Sequence, residues 1–89
     1  MNINIEEVWI RIVANEGKTF TQIRGGQFTY EVKGGAIVLS RTNRILSKNE
    51  FEKALVFVPI ENTVTLQHLQ APSYLYAILT DERIKCNLW

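Results

Sequence analysis

The sequence predicts an α+β domain in two layers, a three-stranded antiparallel meander with helices packed on one of its faces. Three observations lead there. Apolar residues at the N-terminal end recur at helical spacing, two Gly-Gly pairs divide a β-rich middle, and two later segments return to helical spacing.

In NINIEEVWIRIVANEG, residues Ile5, Val8, Trp9, Ile12 and Val13 fall at i, i+3, i+4, i+7 and i+8, one stripe of a helix. Asn4 followed by Glu7 is a capping-box pattern, and Gly17 stands where a left-handed residue would end the helix, so the first helix is placed at about 5–16. Trp9 belongs to the buried stripe on this reading.

The next stretch changes period. KTFTQIR, QFTYEVK and AIVLSR are separated by Gly25-Gly26 and Gly34-Gly35, the signal for tight hairpins whose turns need the positive φ that glycine adopts freely. A two-residue second turn sets Val32 opposite Ile37 and Tyr30 opposite Leu39, which puts Phe28, Tyr30, Val32, Ile37 and Leu39 on one face. That face meets the helices, while Thr29, Glu31, Lys33 and Val38 line the other. The first hairpin has two readings. A two-residue loop directs Ile23 to the core and Phe20 outward, and a one-residue bulge reverses them.

In SKNEFEKALVFVP, Ser47 with Glu50 forms a second capping-box pattern, and Phe51, Ala54, Leu55 and Val58 keep helical spacing, which predicts a helix at about 48–57. Residues 60–70 carry β-branched alternation at Val64 and Leu66, compatible with a fourth strand or a loop. In APSYLYAILTDERI, Pro72 near a helix start and Leu75, Ile78 and Leu79 on one face predict a short helix at about 73–80. At 89 residues the chain suits a single domain spanning 1–89, and 46% apolar with 21% charged residues is an ordinary globular balance. The pieces EGKTF, FTYEV, SRTNR, FEKAL and SYLYAILTDERI resemble a compact bacterial or phage domain, a likeness that implies no activity.

Composition narrows the chemistry. No apolar run reaches the 18 to 20 or so residues of a membrane span, and Glu6 and Glu7 stand where a signal peptide would be basic and then apolar, so the expected setting is cytoplasmic, with no membrane partner. One cysteine, Cys86, excludes an internal disulfide, and with one histidine, His68, it cannot assemble a usual zinc site. The Gly-Gly pairs do not match a phosphate-binding fingerprint. Nothing orients a Cys86–His68 nucleophile and base, and the expectation is a protein that is not an enzyme and carries no cofactor or metal.

What remains is a charge pattern. The whole chain is +1, yet residues 18–48 hold six basic side chains against Glu31 alone, a local +5, while the rest holds four basic against eight acidic, −4. Arg41, Asn43, Arg44 and Lys48 crowd the expected strand-to-helix joint, with Arg24 in the preceding hairpin. Arginine forks match phosphate oxygens, and a helix N-terminus adds partial positive charge, so a nucleotide or nucleic-acid backbone is the leading expected ligand. Tyr74 and Tyr76 lie two apart on a helix and point differently, which leaves one able to stack on a base. The competing readings are ordinary ion pairs from Arg41 and Arg44 to Glu31, Glu50, Asp81 or Glu82, and a protein-interaction or inhibitor module that acts as a homo-oligomer. Leu88 and Trp89 form an apolar end that either docks or self-associates.

Overall fold

The computed structural model describes residues 3–42 and 44–89. Helix α1 spans Ile5–Ala14, followed by strands β1 (Phe20–Thr21), β2 (Gln27–Phe28), β3 (Tyr30–Lys33), β4 (Ala36–Leu39) and β5 (Ile45–Ser47). Helix α2 (Lys48–Leu55), a 3-10 turn at Val64–Leu66, helix α3 (Pro72–Leu79) and helix α4 (Glu82–Lys85) complete the chain. Strands β3, β4 and β5 form an antiparallel meander, and β1 pairs with β2 in a separate two-stranded ribbon.

The second hairpin has the register that spacing predicts, Val32 opposite Ile37 and Tyr30 opposite Leu39. Its core face carries Tyr30, Ile37, Leu39 and, from β5, Leu46, all buried, while Glu31, Lys33 and Ile45 on the other face are exposed. Helices α1 and α2 cover the core face through Val8, Ile12, Phe51 and Ala54, and α3 adds Leu75, Ile78 and Leu79 to the same core. This is the two-layer arrangement, α+β with the helices on one side of the meander.

The meander lies one strand further along the chain than expected. QFTYEVK does not run as one strand, because Thr29 N–H donates to the Ser40 hydroxyl at 2.9 Å rather than to a backbone carbonyl. A side-chain acceptor here replaces a ladder bond and divides the segment into β2 and β3. The third strand of the sheet is then β5, which pairs Ile37 with Leu46. Residues 60–70 form no strand; their one regular element is the 3-10 turn, whose Leu66 is buried. A further short helix, α4, follows α3, started by the Asp81 side chain accepting from Arg83 N–H at 2.9 Å.

The first hairpin takes the bulged form. Gln22 N–H donates to the Gly26 carbonyl at 2.7 Å and Gly25 N–H to the Gln22 carbonyl at 2.8 Å, which leaves a three-residue loop with Gly25 at φ +90°. Phe20 is therefore buried opposite Phe28, and Ile23 is 60% exposed. Positive φ falls on the first glycine of each pair, Gly25 and Gly34, and not on Gly26 or Gly35.

Aromatic packing fastens this short ribbon to the rest. Phe20 lies 5.4 Å from Tyr30, and Phe28 meets Tyr74 of α3 edge-on at 4.8 Å. The Arg83 guanidinium lies 4.3 Å from the Phe20 ring centroid and donates to the Thr19 carbonyl at 2.7 Å. Trp9 is half-buried rather than fully enclosed, its ring 5.9 Å from that of Phe51. The C-terminal end docks, with the Trp89 indole N–H donating to the Leu79 carbonyl at 2.9 Å.

Candidate anion site beside helix α3

The N-terminus of α2, where sequence concentrates the basic residues, is already occupied. Strand β5 runs directly into the helix, Lys48 N–H donates to the Gly35 carbonyl at 2.8 Å, and Glu50 N–H donates to the Ser47 hydroxyl at 3.3 Å. The capping box is half formed. Instead of returning to Ser47, the Glu50 carboxylate accepts from Gln70 N–H at 3.2 Å and pairs with Lys53 at 3.3 Å. Lys48 turns toward α1 and meets Glu6 at 2.6 Å, which separates it from the arginines it neighbours in sequence.

The three arginines gather elsewhere, around residues 70–73 at the start of α3. Arg44 Nη2 donates to Gln70 Oε1 at 2.9 Å. The Arg41 guanidinium comes back over the first hairpin and lies against Gly26, where a β-carbon would collide with its Nη1 and stand 2.7 Å from Gln22 Oε1. Gln22 in turn donates from Nε2 to the Ser73 hydroxyl at 3.1 Å, which links the hairpin to α3. Arg24, at the hairpin tip, borders an open cleft of about 270 Å³ together with Gln22, Ile23, Thr63 and Ser73. Asn43 lies outside the described residues.

Local structure explains this convergence. The bulged turn puts Gln22 and Arg24 at the tip of a ribbon whose aromatic base packs on Tyr74 of α3, so the tip projects alongside the first turn of that helix. Helix α3 opens on Ala71, a buried residue at φ 46° and ψ 60° whose methyl cannot cap, followed by Pro72. Non-glycine residues in this left-handed region are uncommon and are held there by their surroundings.

Three of the carboxylates that the ion-pair reading offers these arginines, Glu50, Asp81 and Glu82, pair with other cations. Among the described residues no carboxylate lies within 4.0 Å of the guanidinium of Arg24, Arg41 or Arg44. Asp81 pairs with Arg83 at 2.9 Å, Glu82 with Lys85 at 3.3 Å, and Glu50 with Lys53. Hydrogen bonds from Arg83 hold the Asp81 carboxyl below its ordinary range, so this pair belongs to α4. Glu50 still stands one residue removed from Arg44, through Gln70, and tempers the positive field there.

The tyrosines divide. Tyr74 is buried, 8% exposed, with its ring edge against Phe28, and has no face to offer a base. Tyr76 is half-buried on the same helix. The residues that sequence reasoning passed over are Gln22, Thr63 and Ser73, polar side chains from three segments that only the fold assembles, and Gly26, whose bare face admits Arg41.

Cys86 and His68 are both exposed and have different neighbours, the Arg83 carbonyl for the thiol and the Phe57 ring for the imidazole. Among the described residues no three His, Cys, Asp or Glu side chains cluster as metal ligands, and no helix is long and apolar enough to cross a membrane. Comparison with known proteins finds no matching family model, no matching curated protein and no matching solved structure.

Proposed function

We propose that this chain is a cytoplasmic, non-catalytic binding module for a phosphate-bearing ligand, a nucleotide or a nucleic-acid backbone, held at the cleft beside α3. The observation that carries the reading is the grouping of Arg24, Arg41 and Arg44 around residues 70–73 with no carboxylate partner among the described residues. Guanidinium forks supply charge and paired donors, and Gln22, Thr63 and Ser73 supply neutral donors at the same cleft. The hydroxyls and the carboxamide bind phosphate oxygens without adding charge. Lys48 is left out of the site because Glu6 engages it.

Thermal shift with a millimolar nucleotide panel and short oligonucleotides tests this. A ligand at one hundred times its Kd stabilises the folded state by about 2.7 kcal/mol. Arg41→Ala and Arg44→Ala should each remove most of that shift while changing ligand-free stability by under about 1 kcal/mol, since both side chains are exposed. Lys48→Ala should retain the shift. The absence of any shift in the parent protein would remove the proposal.

A second reading, protein interaction or homo-oligomerisation, draws on Ile45, Val56 and Val64, which are 66%, 79% and 64% exposed. Salt separates the two, because phosphate binding weakens steeply as salt rises and an apolar interface barely responds.

A further inference from the structure

Resting on the phosphate reading, we infer that the ligand is a nucleic-acid backbone bound without regard to base sequence, and not a mononucleotide. The three guanidinia have three different neighbours. Arg44 is anchored at Gln70, Arg41 is seated over Gly26 beside the Gln22–Ser73 hydrogen bond, and Arg24 stands on the cleft wall that Thr63 and Ser73 share. Of the three only Arg24 lines the cleft, so a ligand confined to the cleft meets one guanidinium, whereas a strand that continues past it presents further phosphates to Arg41 and Arg44.

The same surroundings leave a base unrecognised. A mononucleotide site needs an enclosed apolar slot with a few fixed polar groups to orient the ring. This cleft is open and its lining holds no aromatic residue, while Tyr74 faces the core. Among the described residues every buried side-chain nitrogen and oxygen already has a hydrogen-bond partner, so none waits for a base edge. Helix α3 buries five of its eight residues, which prevents it from entering a groove. Arginine, hydroxyl and amide donors on an open surface are the groups that contact phosphate, and such contacts position a strand without reading it.

Fluorescence anisotropy with labelled single-stranded 12-mers of two unrelated base compositions, titrated at salt from 50 to 200 mM, tests the inference, with ATP, AMP and inorganic polyphosphate as competitors. Three phosphate contacts on a single strand give a slope of log affinity against log salt near −2, a loss of roughly fifteen- to twenty-fold over that range. The two sequences should bind within about threefold of each other. Arg44→Ala should flatten the slope by about 0.7, and Lys48→Ala should leave it unchanged.

Competition by ATP or AMP at the concentration of oligonucleotide phosphate would overturn the inference and leave the phosphate reading standing. So would a tenfold preference for one sequence, or polyphosphate binding tenfold more tightly than either strand. Failure of every phosphate compound to bind would overturn both readings.

Discussion

Replacing Gly26 with alanine separates the site from the fold. A β-carbon at Gly26 would collide with Arg41 Nη1 and approach Gln22 Oε1 to 2.7 Å, and both atoms lie at the ends of flexible side chains that can swing away. The backbone accepts the change because Gly26 is not in the left-handed region. Restricting the unfolded chain should stabilise by about 0.4 to 1 kcal/mol. Displacing Gln22 loses its hydrogen bond to Ser73, worth about 0.5 to 1.5 kcal/mol. The two nearly cancel, so Gly26→Ala should melt within a few degrees of the parent, since about 1 kcal/mol corresponds to roughly 4 to 8 °C in a domain of this size. Gly25→Ala supplies the contrast. Nothing lies within 4 Å of its β-carbon, yet φ is +90°, so the cost is conformational, about 1 kcal/mol or more. Circular dichroism melts and anisotropy on both variants should therefore cross, with Gly26→Ala stable and poor in binding, Gly25→Ala less stable and competent. Undiminished binding by Gly26→Ala would refute the seating of Arg41 as part of the site. A larger stability loss at Gly26 than at Gly25 would refute the bulged turn.

Two further outcomes test the core. Burial raises Tyr30 well above the ordinary tyrosine range, and its hydroxyl donates to the Ile12 carbonyl at 2.5 Å. A raised folded pKa means that the stability tied to the protonated phenol is complete below the unfolded value near 10 and is lost as pH rises beyond it. Alkaline titration monitored by fluorescence should show unfolding that begins above about pH 10. Tyr30→Phe should lose about 1 kcal/mol at pH 7 and show a flatter alkaline limb; an identical limb would refute the assignment. Phe51→Ala should cost about 3 to 5 kcal/mol and Trp9→Ala less, because Phe51 is fully buried and Trp9 half-exposed, and the reverse order in urea denaturation would overturn that packing.

Periodicity made α1, α2, α3 and the β3–β4 register legible, because each is set by residues close in sequence. The Val32–Ile37 pairing follows from turn length alone. Strand β5 was not legible, since it is three residues long and its two apolar residues, Ile45 and Leu46, are adjacent in sequence although only Leu46 is buried. The division of β2 from β3 depends on the Ser40 hydroxyl, eleven residues away, which no local pattern reports. The arginines were legible as a charge excess but not as a place. Sequence neighbourhood joins Lys48 to Arg44, while the fold sends Lys48 to Glu6 and Arg44 to Gln70, at partners 42 and 26 residues distant.

That separation bears on whether the arginines serve the fold or a ligand. Several of the chain's carboxylates are engaged in structure: Glu16 accepts from Val32 N–H at 2.7 Å on the outer edge of β3, Glu50 accepts from Gln70 N–H, and Asp81 starts α4. Those contacts tie together elements that would otherwise leave backbone donors unpaired. Among the described residues the Arg24, Arg41 and Arg44 guanidinia have no carboxylate partner; Arg44 is held by the neutral Gln70 and Arg41 lies against Gly26. Like charges at an exposed surface repel by well under about 1 kcal/mol at separations near the Debye length, so the fold tolerates such a group easily. A polyanion crossing it would both remove that repulsion and release its own counterions. Retained charge distinguishes these three arginines from Lys48, Lys53 and Arg83, whose charges are satisfied within the fold.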